Sequence, residues 1–243
     1  MSFKDYLNTY EFESILPGSG EKLKFKPLTT KEMKKLLTYE GSEDYESVEK
    51  MLDMIIENAV IDEDFNIDNL YLQDRFYLLV DIRKKSKGEN YEFEYDCPDC
   101  GSQNYISFSL DDLKVDYLSN DIDNKVDLTN EVSVYVWFVT RGEEKEALEN
   151  TENHEKQNRK EAESQLNILT QGIKAVETPE GKEENLSFED KKYIVDNLTI
   201  KNLTNIREWY ENNNFGVDFR IKRTCKQCGK EEEASIPLVD FFS

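Results

Sequence analysis

Two matching stretches of sequence decide the fold: Cys97-Pro98-Asp99-Cys100-Gly101 and Cys225-Lys226-Gln227-Cys228-Gly229. They contain the only four cysteines among 243 residues. Two residues between paired cysteines let the backbone turn so that both thiolates face one ion, and the following glycine tolerates the positive φ of a tight turn. Four thiolates complete a tetrahedral shell and leave no position for a reactive water. The sequence therefore predicts a structural Zn2+ held by Cys97, Cys100, Cys225 and Cys228.

Segments that alternate with the period of a β-strand flank both cysteine pairs. The first pair lies between Tyr91-Glu92-Phe93-Glu94-Tyr95 and Tyr105-Ile106-Ser107-Phe108-Ser109-Leu110, and the second between Val217-Asp218-Phe219-Arg220-Ile221 and Ala234-Ser235-Ile236-Pro237-Leu238. Each copy is typical of a hairpin with a CxxC turn at its tip, and two such hairpins form a zinc ribbon. We expect a split ribbon over residues 89–110 and 217–239.

The two cysteine pairs are unusually far apart, because residues 101–224 separate them whereas a compact ribbon has about 15 to 20 residues there. A whole subdomain must therefore be inserted between the hairpins. The alternatives are two separate redox motifs or a chance pattern. A thioredoxin-type CxxC requires a βαβ context, which neither copy has.

Composition excludes several classes of protein. The chain has 31 Lys and Arg against 52 Asp and Glu, a formal net charge of −21, which disfavours general binding to nucleic acid or to anionic membranes. Aromatic residues make up 12% of the chain, enough for a real core and against general disorder. We expect neither a secretory signal nor a membrane-spanning segment, and a cytoplasmic origin in which thiols stay reduced and paired cysteines favour metal.

The net charge conceals a difference between the two hairpins. Charged residues from 89 to 100 are all acidic, whereas those from 219 to 230 are all basic. We expect the hairpins to attract each other and so help to close the zinc site. The alternative is that Arg220, Lys222, Arg223 and Lys226 form a surface that binds an acidic partner, which in one version makes the protein a nucleic-acid-binding factor.

The remaining chain predicts an α+β fold, organised as one composite domain over residues 1–243. A turn at Pro17-Gly18-Ser19-Gly20 predicts a β-hairpin over residues 10–28, and Thr29 with Glu32 forms a capping box that opens a helical part over 29–88. The third helix of that part is expected from about residue 68 to 87. Residues 132–139 predict a central strand.

A mostly helical, acidic insertion is expected over residues 141–214. Within it, residues 142–171 are rich in glutamate and predict either a long exposed helix that contributes little core or a mobile linker. His154, the single histidine, is most simply a solvated residue of that segment.

No catalytic constellation is evident. The chain lacks a glycine-rich phosphate loop and a nucleophile elbow, and scattered carboxylates do not form an acid/base pair by themselves. We therefore expect a protein without enzymatic activity. The competing interpretation, a small nuclease or peptidase, requires a metal site with an open coordination position.

The order of motifs resembles a viral protein family. It consists of four parts: Ile15-Leu16-Pro17-Gly18-Ser19-Gly20; Phe25-Lys26-Pro27-Leu28-Thr29-Thr30-Lys31-Glu32 with Leu36-Leu37; Tyr77-Leu78-Leu79-Val80-Asp81-Ile82-Arg83 with Ser86 and Gly88; and Cys97-Pro98-Asp99-Cys100. This order resembles the baseplate hub subunit and hub-assembly family of T-even-like contractile-tailed bacteriophages. The resemblance is densest over residues 10–110 and resumes from about 214 to the terminal Phe241-Phe242.

The resemblance implies a structural or assembly protein of the baseplate hub. It implies partners among other tail and hub proteins, without a small-molecule substrate, and a location in the virion tail or, during assembly, in the host cytoplasm. Nucleic acid and membrane insertion are not expected. The four cysteines are the only site residues that the resemblance carries to this chain.

Overall fold

The computed structural model describes residues 10–36, 45–151, 157–237 and 241–242. The chain divides into two compact units. Unit 1 comprises Met1–Phe65, Gln73–Asp116 and Gly216–Ser243, and unit 2 comprises Asn66–Leu72 and Tyr117–Phe215. Helices and strands are mixed throughout, as the α+β prediction requires. The predicted organisation as one composite domain stays a prediction, and His154 lies outside the described residues.

The described residues form seven α-helices and twelve strands. The helices are α1 Thr30–Leu36, α2 Tyr45–Ala59, α3 Leu72–Lys87, α4 Arg141–Glu149, α5 Gln157–Gln171, α6 Phe188–Asp196 and α7 Ile200–Asn212. The strands are β1 Phe12–Ile15, β2 Lys22–Phe25, β3 Asn90–Asp96, β4 Gln103–Ser109, β5 Val115–Asp116, β6 Lys125–Asp127, β7 Ser133–Val136, β8 Ile173–Thr178, β9 Gly181–Glu183, β10 Gly216–Val217, β11 Arg220–Thr224 and β12 Glu231–Ser235. Across the described ranges, every helix is too short or too polar to cross a membrane.

Unit 1 begins with the predicted N-terminal hairpin, in which β1 and β2 pair antiparallel with Phe12 opposite Phe25. Asp74 at the start of α3 fixes its tip, since its carboxylate accepts the backbone N–H groups of Gly18 at 2.6 Å and Ser19 at 2.9 Å. Burial raises the pKa of Asp74, and these two hydrogen bonds oppose that rise. The hairpin is thus held by a carboxylate distant in sequence.

One of the two hydrogen bonds of the predicted capping box is present at the start of α1, where the Thr29 backbone N–H donates to the Glu32 carboxylate at 2.6 Å. The expected start of the third helix near residue 68 is wrong. Ile67–Asn69 forms a separate 3-10 turn whose first N–H groups are capped by Asn66, and α3 begins only at Leu72. The two helical stretches are separated because Leu70 is extended, with ψ 135°, and its carbonyl accepts the backbone N–H of Arg141 at 2.8 Å.

Two arginines of α3 are buried and anchor distant segments of unit 1. Arg75 is 1% exposed and lies between the carboxylates of Glu49 and Asp53 of α2, each at 2.7 Å. Arg83 donates to the carbonyl of Phe241 at 2.8 Å and to that of Gly88 at 2.7 Å. Phe241 and its neighbour Phe242 are therefore buried in the core of unit 1.

Two antiparallel hairpins of unit 1 carry the cysteines, β3 with β4 and β11 with β12. The expected boundaries of the second hairpin are wrong. Val217 belongs to β10, which pairs with β5 through Val115, and the returning strand starts at Glu231 instead of Ala234. Glu231 enters the strand because its neighbours Glu232 and Glu233 lie directly opposite basic residues of β11, and opposite charges stabilise such cross-strand pairs.

Unit 2 is built on an antiparallel sheet in the order β6-β7-β8-β9. The predicted central strand is present but shorter, ending at Val136, where the pairing with β8 shifts at a bulge. Phe138 lies at the centre of the core, with its ring centroid 4.7 Å from Phe215 and 5.3 Å from Trp209. The strands β8 and β9 form a hairpin that interrupts the helical insertion expected over residues 141–214.

The expectation of one long exposed helix over residues 142–171 is wrong, as is the expectation that this segment contributes little core. Helix α4 ends at Glu149 and α5 starts at Gln157. Ala147 and Asn167 are fully buried, and the Asn167 amide donates to the carbonyl of Asn150 at 3.3 Å and to the hydroxyl of Thr151 at 3.1 Å. The carbonyl groups at the end of α4 are thus satisfied by a polar side chain of α5.

Candidate metal centre

The two CxxC turns have the same backbone geometry. In the first, the N–H of Gly101 donates to the carbonyl of Cys97 at 2.8 Å, and in the second the N–H of Gly229 donates to the carbonyl of Cys225 at 2.9 Å. Both glycines have positive φ, 68° and 74°, which explains why glycine follows each pair. The repeated sequence thus gives a repeated local structure.

The hairpin tips bring all four predicted cysteines together within unit 1. Their four sulfur atoms lie within 4.8 Å of one another, with 3.7 Å between Cys97 and Cys228 and 3.7 Å between Cys100 and Cys225. Cys97 and Cys225 are buried, whereas Cys100 and Cys228 are exposed. Such a cluster is compatible with a metal site, and it is the one group of this kind found within the described ranges.

Two polar residues of the first hairpin that were not predicted from the sequence, Ser102 and Asn104, reach the sulfur atoms. The Ser102 hydroxyl lies 3.1 Å from Cys100 Sγ and 3.2 Å from Cys225 Sγ. The Asn104 amide group lies 3.6 Å from Cys225 Sγ, and its carbonyl oxygen accepts the backbone N–H of Lys226 at 3.0 Å. Their positions two and four residues after Cys100 are the only sequence signal that could have identified them.

The surroundings of Cys100, Cys225 and Cys228 shift the pKa values of these thiols in different directions. The Ser102 hydroxyl, followed by the backbone N–H groups of Cys228 and Gln227, lowers the pKa of the Cys225 thiol to about 5. Ser102 likewise lowers the pKa of Cys100. Hydrogen bonds that stabilise the thiolate cause both changes. Cys228 shows the opposite change: the backbone N–H of Lys230 lowers its pKa, but the hydrogen bond to Cys225 and desolvation outweigh that effect and raise the pKa to about 12. Within the cluster, Cys225 and Cys100 are thus the sulfurs predisposed to the anionic form in which cysteine binds metal.

The four predicted partner-binding residues lie on or beside β11. Two of them have carboxylate partners: Arg220 with Asp218, two residues before it, at 2.7 Å, and Arg223 with Glu232 of the paired strand β12 at 2.7 Å. Lys222 lies opposite Glu233 in the strand register, and Lys226 lies in the CxxC turn. Glu232 and Glu233 of β12 lie beyond the range 219–230, in which all charged residues are basic. They offset much of the positive charge of β11.

The expected attraction between oppositely charged hairpins is present in only a minor form. Lys230 lies 3.4 Å from Asp99, and both side chains are about half exposed. In addition, the Arg223 guanidinium lies 4.0 Å from the centroid of the Tyr95 ring. An exposed ion pair contributes at most about 1 kcal/mol, so charge complementarity is not the main force that closes the cluster.

Comparison with known proteins adds the identity that geometry alone does not give. Residues 7–243 match the family described as T4 bacteriophage base plate protein. The chain belongs to this family. Membership of the base plate family indicates a structural role in a bacteriophage tail, and it agrees with the resemblance found in the sequence. No curated protein and no solved structure matches the chain.

Proposed function

We propose that this base plate protein is a non-enzymatic scaffold of the baseplate hub in which one zinc ion ties distant chain segments together. The observation that carries the proposal is the cluster of four cysteine sulfurs in a chain of the base plate family. The cluster joins two hairpins of unit 1 whose cysteines are separated by residues 101–224.

The donor set and its spacing fit zinc. Four sulfurs at the corners of a tetrahedron with Zn–S bonds of about 2.3 Å lie roughly 3.8 Å apart. Two of the cross-hairpin separations, Cys97 to Cys228 and Cys100 to Cys225, are both 3.7 Å, and all four sulfurs lie within 4.8 Å of one another. A disulfide would instead require about 2.05 Å. Cys97, Cys100, Cys225 and Cys228 would hold the ion.

The ion, when bound, supplies structural cross-linking rather than reactivity, because four thiolates fill its coordination shell. The work of the chain is to present the four sulfurs together. The hairpin tips bring the four sulfur atoms together. The strands β5 and β10, which precede and follow residues 117–215, pair with each other. Binding of a metal to the folded state alone stabilises that state, so zinc would fix the surface of unit 1.

The partners of this scaffold are other proteins of the tail and of the baseplate hub. The protein remains in the virion tail or acts in the host cytoplasm during assembly. The family match supports the assignment to the tail. The assignment to the baseplate hub rests in addition on the sequence resemblance over residues 10–110. No small-molecule substrate is required for this role.

The test replaces one ligand in each hairpin with the variant Cys97→Ser/Cys225→Ser. We expect it to lose bound zinc and to stop co-purifying with tail proteins from infected or reconstituted cells. Gln227→Ala is the matched control, since it alters the same turn but keeps all four thiols. If the double variant folds and supports normal tail assembly, the scaffold role of zinc is wrong.

The same material tests the alternatives. A nucleic-acid-binding role for Arg220, Lys222, Arg223 and Lys226 predicts affinity for nucleic acid that falls steeply with added salt. The carboxylate partners of Arg220 and Arg223 argue against that role. A hydrolytic enzyme predicts a metal with a bound water, which a complete four-sulfur shell does not allow.

A further inference from the structure

We propose that Ser102 and Asn104 form a clasp that positions Cys225 and so joins the two cysteine hairpins into a single metal site. This inference rests on the proposed zinc scaffold and assigns the residues that assemble it. The clasp belongs to the first hairpin, whereas the cysteine that it positions belongs to the second. Both clasp residues act through Cys225 and are positioning residues rather than ligands.

The Asn104 side chain makes two contacts with the second hairpin. Asn104 is 6% exposed, and its amide group uses both ends on the opposite hairpin. Its Nδ2 lies 3.6 Å from Cys225 Sγ, and its Oδ1 accepts the Lys226 N–H at 3.0 Å. Nδ2 also donates to the carbonyl of Ser102 at 2.8 Å, which fixes the orientation of the amide. A buried amide satisfied in this way specifies one arrangement of the two hairpins.

The Ser102 hydroxyl lies between a sulfur of the first cysteine pair and a sulfur of the second. Its oxygen is 3.1 Å from Cys100 Sγ and 3.2 Å from Cys225 Sγ. A hydroxyl has one proton and donates to one sulfur at a time. Because Cys100 and Cys225 belong to different hairpins, the hydroxyl contacts one sulfur of each and so links the two hairpins directly.

The two copies of the cysteine hairpin differ in the polar residues that follow the second cysteine. Positions two and four residues after Cys228 hold Lys230 and Glu232, and these residues do not reciprocate the clasp. The side chain of Lys230 lies 3.4 Å from the Asp99 carboxylate, and that of Glu232 lies 2.7 Å from Arg223. The inter-hairpin polar contacts to sulfur thus come from the first hairpin, and Cys225 receives both of them.

The test measures zinc affinity by chelator competition for Asn104→Ala and Ser102→Ala in the full-length protein. Loss of groups that orient metal ligands typically weakens metal binding by about 10- to 100-fold, and we expect a loss in that range for each variant. Ser102→Thr restores the hydroxyl and should restore affinity. Gln103→Ala is the matched control, because Gln103 lies between the two clasp residues and its amide donates to the Glu94 carboxylate in its own hairpin.

Cobalt substitution gives a readout that general destabilisation does not produce. A hydrogen bond to a thiolate stabilises its lone pairs, so its removal should shift the thiolate-to-Co2+ charge-transfer band to lower energy. We expect this shift in Ser102→Ala and its reversal in Ser102→Thr. Should Asn104→Ala fail to fold, the Ser102 pair decides the question.

The outcomes separate this inference from the function on which it rests. If the wild-type protein binds no zinc, the zinc scaffold itself is wrong. If wild type binds one zinc ion while Ser102→Ala and Asn104→Ala match Gln103→Ala in affinity and in the cobalt spectrum, the clasp is wrong and the scaffold stands.

Discussion

The buried arginine of α3 provides a direct test of what stabilises unit 1. Arg75 is 1% exposed, with Nη1 at 2.7 Å from Glu49 and Nη2 at 2.7 Å from Asp53. Nη2 also donates to the carbonyl of Glu49 at 3.0 Å. The substitution Arg75→Met preserves much of the aliphatic volume but removes the cation that lies 2.7 Å from each of two nearly buried carboxylates. Removing one partner of a buried ion pair costs about 3–5 kcal/mol, and we expect a loss of that size.

The assay is urea unfolding followed by circular dichroism, with Lys22→Met as the matched control. Lys22 lies 2.6 Å from Glu13, but their side chains are 55% and 49% exposed, so this substitution should cost no more than about 1 kcal/mol. Both positions belong to unit 1, whereas Trp137 and Trp209, the only tryptophans, belong to unit 2 and report its unfolding separately by fluorescence. If Arg75→Met lowers the free energy of unfolding by no more than Lys22→Met does, the expectation that the buried ion pair stabilises unit 1 is wrong.

Two further predictions concern single contacts. A Cβ on Gly172 would overlap the Tyr210 hydroxyl, which donates to the carbonyl of Trp137 at 2.9 Å, so Gly172→Ala should cost about 1–3 kcal/mol by tryptophan fluorescence. The cost should shrink in a Tyr210→Phe background, and an unchanged cost would contradict the assigned overlap. Hydrogen bonds from Arg220 lower the pKa of Asp218 to about 2, so Asp218 contributes stability above its ordinary pKa of 3.8 and loses it as the pH falls toward 2. We expect Asp218→Asn to cost at most about 1 kcal/mol at pH 7, because the pair is exposed, and to match wild type in acid titrations near pH 2; a difference that persists there would contradict the assignment.

Much of the candidate site was predictable because its signals are local. A CxxCG turn specifies its own hydrogen bonds through the positive φ of the glycine, and alternation of apolar residues specifies the flanking strands. The repeat of this pattern indicated that the two turns share one function. The N-terminal hairpin and the hydrogen bond between the Thr29 N–H and the Glu32 carboxylate are equally local, and both are present.

Features that depend on tertiary contacts were missed. Asn104 looks like an ordinary polar strand residue, and only the approach of the second hairpin gives its amide both of its inter-hairpin partners. Arg83 follows the pattern of basic residues that suit the negative end of a helix dipole, yet the structure buries it against the carbonyl of Phe241. The pairing of Val217 with Val115 likewise joins strands that are distant in sequence.

The acidic segment over residues 142–171 shows why composition misled. Its glutamates suggested a solvated helix, but Glu144 is buried against Arg141 at 2.5 Å and Ala147 is fully buried. Charge content reports how much of a segment could face water, not which side chains find partners. In this segment, paired charges and a buried amide allow two short helices to contribute to the core of unit 2.

The central claim, that four cysteines hold one zinc ion between two hairpins, is tested most directly by X-ray absorption at the zinc edge together with metal analysis of the purified protein. The account predicts one zinc ion per chain with four sulfur ligands at about 2.3 Å. Absence of zinc, or a shell that contains an oxygen ligand in place of one of these sulfurs, would contradict it.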